Sequence, residues 1–259
     1  MKTEENINIL GNFCGIRDIK DLNSDELQNK YNINQADIMV LFGGSIICGG
    51  DLFAKSIKNK IAKKYIIVGG VGHTTESLRQ QVKKVMPSIK TNGLCEAEIF
   101  DQYIKERYGV KSDYLECKST NCGNNITNLL SLMKNHDIKG KNIIICQDAT
   151  MQRRMDACLH KYSDMQIINF AAYFTNVISE NGKLKYSNLI PGMWSIHDYI
   201  NLLMGEIPRL TDDQYGYGPK GRGFISHVDI PSEVQASFEE LKKTFGEKIR
   251  PANPDFATK

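Results

Sequence analysis

The residues of this chain best suited to chemistry stand in polar clusters that each follow a short apolar run. The richest is Gln147-Asp148-Ala149-Thr150-Met151-Gln152-Arg153-Arg154, directly after Ile143-Ile144-Ile145-Cys146. Asp148 and Thr150 are good helix N-caps, which would put Arg153 and Arg154 in or just after a first helical turn. The helix dipole makes that end positive and repels them. An anion bound at the end of the preceding strand would turn the repulsion into attraction, gripped by both guanidinium groups. The plain alternative is that the arginines reach solvent or pair with Asp148 and Asp156.

Three other clusters share the pattern: Gly43-Gly44-Ser45, then Gly69-Gly70-Val71-Gly72-His73-Thr74-Thr75, then Ser119-Thr120-Asn121-Cys122-Gly123-Asn124-Asn125. Glycines let backbone amides approach a ligand's oxygen atoms. His73 is a candidate general acid or base because imidazole titrates near neutrality, although a lone turn histidine also serves structure alone. Glu96 and Glu98 fall in a first helical turn, where acids are ordinarily stabilising. A helix start needs one cap, and the stretch from Ser119 to Asn125 offers five polar side chains.

Elements that would position these clusters are legible from the apolar periodicity. A strand over 37–42, a helix over about 51–63 and a strand over 65–68, with glycine turns after both strands, spell a right-handed βαβ unit of a parallel sheet. Helices follow over 75–85 and from Cys95 to a stop at Gly109, then a strand over 114–117 and a helix with Ile126, Leu129, Leu130 and Met133 on one face. Strands over 143–145 and 166–170 complete the alternation, which fades past Ala171. Later segments read as a helix over 194–204, a long Gly/Tyr/Arg loop and a helix from Pro231. That loop's aromatic and basic content favours a lid or a lobe contact. The division expected is N-terminal helices over 1–34 packing on the core, a ligand-binding α/β domain over 35–172 and a mostly helical C-terminal lobe over 173–259. In a parallel sheet all four polar turns would share one edge, and ligands bind where strand order reverses.

Composition narrows the classes. The 259 residues are 41% hydrophobic with a net charge of +3, enough for a full core and too little charge for a nucleic-acid or membrane-surface sheath. No apolar run approaches the roughly 20 residues of a bilayer span, and the start MKTEENINILG lacks the marks of a signal peptide. Seven scattered cysteines without a CxxC pair argue for reduced thiols in a cytoplasm and against a disulfide scaffold or zinc knuckle. A metal site is open only through carboxylates, since the histidines lack the close pairing of zinc enzymes. Oligomeric state is not legible.

GGxGHTT after the second strand, the Glu96-Ala97 pair, STNCGNN, QDATMQRR and PRLTDDQYGYGPKGRGFISHVDIP together resemble the bacterial YdcF family. That family is the soluble branch of a group that also contains the membrane-anchored SanA and ElyC proteins. The resemblance runs from about Asp37 to Pro231. It implies a Rossmann-like three-layer parallel sheet with a smaller, mostly helical C-terminal lobe, S-adenosylmethionine as ligand, and an association with cell-envelope metabolism. Carried over, the positions are Gly43, Gly44, Gly69, Gly70, Gly72, Glu96, Ser119, Asn121, Asn124, Gln147, Asp148, Thr150, Arg153 and Arg154. Two departures matter. The second strand ends in Gly69 and Gly70, where dinucleotide-binding folds carry an acid for the ribose, and GGSIICGG is not GxGxxG. Both argue against a nicotinamide cofactor and leave the ribose of an adenosyl ligand to Glu96 or Asp148.

Three functions follow as expectations. The first is binding, or group transfer from, S-adenosylmethionine or a related nucleoside. The second is a hydrolase or transferase acting on a phosphorylated, envelope-related substrate, with His73, Glu96 and Asp148 as catalytic groups and the arginines neutralising the phosphoryl group. The third is a ligand sensor whose C-terminal lobe moves. No motif of nucleic-acid readout is present.

Overall fold

The computed structural model describes residues 1–44, 46–72 and 74–246; Ser45 and His73 lie outside the described residues. Its centre is a five-stranded, all-parallel sheet of β1 (Ala36–Phe42), β2 (Ala62–Val68), β3 (Tyr114–Glu116), β4 (Asn142–Cys146) and β5 (Gln166–Asn169). Every residue of β4 is buried, as expected of a β-branched strand covered on both faces. The spatial order is β3-β2-β1-β4-β5. The chain therefore steps outward from β1 to β3, then returns to lay β4 against the other side of β1, which makes the β1–β4 seam the switch point of a Rossmann-like α/β fold.

The crossovers are α3 (Cys48–Lys58), α4 (Thr75–Val85), α5 (Glu96–Tyr108), α6 (Cys122–Asn135) and α7 (Gln152–Tyr162). α3 and α5 pack together against β2, and α6 and α7 pair against β3 and β5 respectively. α3 starts three residues earlier than its polar pattern suggests and stops at Lys58, because Lys60 turns the chain in the left-handed region (φ 53°). α5 ends as its sequence says: Gly109 (φ 68°) caps it by donating to the Lys105 carbonyl.

α1 (Thr3–Cys14) and α2 (Ser24–Tyr31) precede the sheet; β6 (Val177–Glu180), β7 (Lys183–Tyr186), α8 (Ile196–Leu210) and α9 (Ser232–Phe245) follow it. α1 packs against α7, α8, α9 and β6, and Asn8 pairs with both backbone groups of Val177. The C-terminal part is less helical than expected: α8 and α9 cover under half of its described residues, and an antiparallel β6–β7 hairpin stands where the apolar alternation fades. Its turn is Asn181-Gly182, both with positive φ, the dipeptide that two-residue hairpins favour. α8 also runs past Met204 through Pro208 to Leu210, because Glu206, Ile207 and Leu210 are buried and hold its last turn. Among the described residues no helix is long and apolar enough to cross a membrane.

Candidate functional site at the switch point

Four turns meet at the carboxyl edge of the sheet around a crevice of about 580 Å3, counting the space open to solvent. Gly43 and Gly44 follow β1; Gly69, Gly70, Gly72 and Thr74 follow β2; Ser119, Thr120, Asn121, Cys122 and Asn125 follow β3; Gln147, Asp148, Thr150 and Met151 follow β4. Glu96 from the start of α5, Trp194 just before α8 and Leu202 within α8 complete the wall.

Neutral contacts fasten the turns to each other. The Gln147 carboxamide donates to the Gly43 carbonyl (2.8 Å) across the switch point, and its oxygen receives the Asp148 amide (2.7 Å). Gln152 accepts the Gln147 amide (2.8 Å) and donates to Ile145 O (3.1 Å) and Asn169 Oδ1 (2.9 Å). Gly70 has no room for a side chain: a methyl there would strike the Ser119 carbonyl oxygen. A methyl on Gly43 would strike the Glu96 carboxylate and lie 2.9 Å from Gly69 Cα.

Two buried carboxylates dominate the chemistry. Glu96 Oε1 accepts from the hydroxyls of Thr74 and Thr75 (2.9 Å each), and Oε2 accepts from the Gly44 amide (2.6 Å). Asp148 Oδ1 accepts from the Thr150 amide (3.0 Å), the Thr150 hydroxyl (2.8 Å) and the Tyr173 hydroxyl (2.8 Å), while Oδ2 accepts from the Trp194 indole (2.8 Å). Burial pushes both acids above the ordinary carboxylate range, and the same hydrogen bonds pull against that shift. Among the described residues each acid has one oxygen with a single donor, Oε2 of Glu96 and Oδ2 of Asp148, which leaves an acceptor position on each for a ligand.

Several expectations need correction. Arg153 and Arg154 do not line the crevice. Arg153 lies over the Phe13 ring (4.2 Å) and donates to the Phe13 carbonyl; Arg154 makes a buried, two-pronged pair with Glu206 (2.6 and 2.9 Å). The helix dipole was no guide to their partner, because the compensating groups come from α1 and α8. α7 starts later than expected, with Met151 at its N-cap, and Asp148 instead folds back on Thr150. Asn124 is occupied in capping α6 beside Asn121 (2.7 and 2.9 Å). The glycine amides are also engaged within the chain: Gly44 on Glu96, Gly70 on Ser119 Oγ and Gly72 on Thr75 Oγ1.

The cysteines depart from expectation as well. Cys95 and Cys117 form a disulfide, with Cα atoms 5.6 Å apart, so the reading of reduced thiols throughout is corrected. With Glu98 they also form a compact group of ligand-type atoms. The long loop after α8 docks on α7, where Ser226 donates to the Ala157 carbonyl, and Tyr217 packs edge-on against Phe224. None of its residues lines the crevice.

Trp194 is the functional candidate that reading by turns overlooks. It is the single tryptophan of the chain, and its position before α8 gave no local sign that it would return to β4. No protein-family model matches this chain.

Proposed function

We propose that the crevice binds a small molecule that carries a positive charge beside hydroxyl groups, S-adenosylmethionine being the expected species, and that any reaction is a group transfer from it. One observation carries this reading: the described residues lining the crevice include two buried acids and no lysine or arginine. An acid pair in a low-dielectric crevice favours a sulfonium or ammonium group and accepts from ribose hydroxyls. The Trp194 indole offers a flat apolar wall for a base or a cation. The N-terminus of α6, with no acid in its first turn, suits a carboxylate. The motifs that resemble the YdcF family support the same ligand.

The phosphorylated-substrate alternative loses the cations it relied on, since Arg153 and Arg154 are engaged elsewhere. His73 remains a proposed general acid or base, tested by His73→Ala against a phosphate-ester panel; unchanged activity would remove it.

The sole tryptophan makes the main test direct. Titration with S-adenosylmethionine is expected to change Trp194 fluorescence saturably. S-adenosylhomocysteine, which lacks the sulfonium charge, should bind about tenfold or more weakly, the ratio expected when about 1.4 kcal/mol of charge pairing is lost. No saturable change with the sulfonium ligand, together with no heat in calorimetry, overturns the proposal. Equal or tighter binding of inorganic pyrophosphate would favour the alternative.

A further inference from the structure

We infer that Cys95 and Cys117 constitute a thiol–disulfide exchange site for a low-molecular-weight thiol of the glutathione class, and that its state governs the rigidity of the Gly69–Gly70 turn. The exchange itself is independent of the ligand proposed above.

The two sulfurs have unequal surroundings. Cys95 is 4% exposed and is the N-cap of α5, where its Sγ accepts the Glu98 amide (3.4 Å). The positive end of the α5 dipole and the Glu98 amide face this sulfur and favour negative charge on it, although the Glu98 carboxylate, which holds the Cys95 amide (2.9 Å), opposes it. Cys117 is half-buried and opens on a surface groove of about 870 Å3, counting the space open to solvent, that also presents Glu116, Lys118 and His136. An incoming thiol therefore reaches Cys117 first, and the exposed Lys118 suits a thiol that carries carboxylates, the buried Glu116 being engaged with the Lys118 amide and Asn128.

The chemistry balances. The incoming thiolate attacks Cys117 Sγ, the Cys95–Cys117 bond breaks, and its electron pair leaves on Cys95 Sγ as the thiolate. Rates of exchange rise when the leaving sulfur is the better-stabilised thiolate, which is the role of Cys95. A second thiol resolves the mixed disulfide. In total, the protein disulfide and two thiols give the protein dithiol and one small-molecule disulfide.

The bridge also encloses the crevice wall. Next to Cys95, the Glu96 and Ala97 amides donate to the Gly70 and Gly69 carbonyls (3.0 and 2.9 Å). On the other side, the Gly69 amide donates to Glu116 O (2.9 Å) and the Gly70 amide to Ser119 Oγ (3.1 Å). The disulfide ties together the two segments that hold this turn, so its reduction removes a covalent constraint on Gly69 and Gly70.

The full chain would be equilibrated in glutathione buffers of graded thiol-to-disulfide ratio, quenched by alkylation and mapped by mass spectrometry. The expected result is conversion of the bridged pair to two alkylated cysteines as the ratio rises, with Cys95→Ala trapping a glutathionyl adduct on Cys117. A pair whose state ignores the buffer overturns the proposal. So does an adduct in Cys95→Ala that forms on Cys48 or Cys122 instead. Amide hydrogen exchange across Gly69–Gly72 reports the coupling without any ligand. It should accelerate by about an order of magnitude on reduction, and unchanged exchange would overturn the link to the crevice while leaving the thiol chemistry to stand on the mapping.

Discussion

At the scale of single residues, the arginines show how two neighbours in sequence divide between different tasks. Glu206 is buried, and the largely covered Arg154 satisfies it through two hydrogen bonds. Removing the cation strands a carboxylate without solvent, a change that typically costs about 3–5 kcal/mol. Arg154→Met should therefore lower stability by that amount in chemical denaturation while leaving ligand affinity in the folded protein nearly unchanged. A large loss of affinity with unaltered stability would return Arg154 to the binding site. The acids of the crevice behave in the opposite way. Both have their protonated forms favoured by burial, so affinity for a cationic ligand should rise with pH as Glu96 and Asp148 ionise and weaken as pH falls back through their raised pKa values. Calorimetric titration across that range checks the sign; an affinity that improves on acidification would contradict the pairing.

At the scale of elements, the parts read correctly from sequence were those whose signals are local. Ile143 to Ile145 marks a strand covered on both faces, and Gly109 ends α5 by its own left-handed backbone. Asn121 caps α6 through a bond from the Asn124 amide, so Asn121→Ala should cost about 1 kcal/mol of stability and weaken binding of the proposed carboxylate-bearing ligand. Urea unfolding and the Trp194 titration measure the two effects separately. The β6–β7 hairpin was missed because its strands are short and largely exposed, so they carry little apolar alternation. Asn181-Gly182 was the available signal. The extension of α8 through Pro208 had no such signal, because contacts of Glu206 and Leu210 with distant parts of the chain outweigh the local preference to stop.

At the scale of the whole molecule, the convergence of four turns on one sheet edge was legible, since parallel strands force it once the βαβ alternation is recognised. Which side chains would face inward was not. The crevice was expected to be cationic, yet its described lining is acidic, because Arg153 and Arg154 meet Phe13 and Glu206 from opposite ends of the chain. Trp194 likewise reaches Asp148 from 46 residues away. The acids leave a signature on global stability. A carboxylate whose folded pKa lies above its unfolded value contributes stability that is complete below the unfolded pKa, about 4, and is lost as pH climbs through the folded value. Melting temperature of the ligand-free protein should fall on that account as pH rises above about 4. Asp148→Asn should show a flatter slope than the parent protein, the comparison cancelling titrations elsewhere. Identical slopes would mean that Asp148 keeps an ordinary pKa.

The supports beneath those acids are amides of another kind. Gln147, Gln152 and the backbone they grip contain nothing that gains or loses a proton in water's ordinary range. Acidification can thus switch the electrical character of the recess while the seam between Gly43 and Gln147 stays put, and any change of outline is confined to Gly44, Thr74, Thr150 and Trp194, which lean on the two acids.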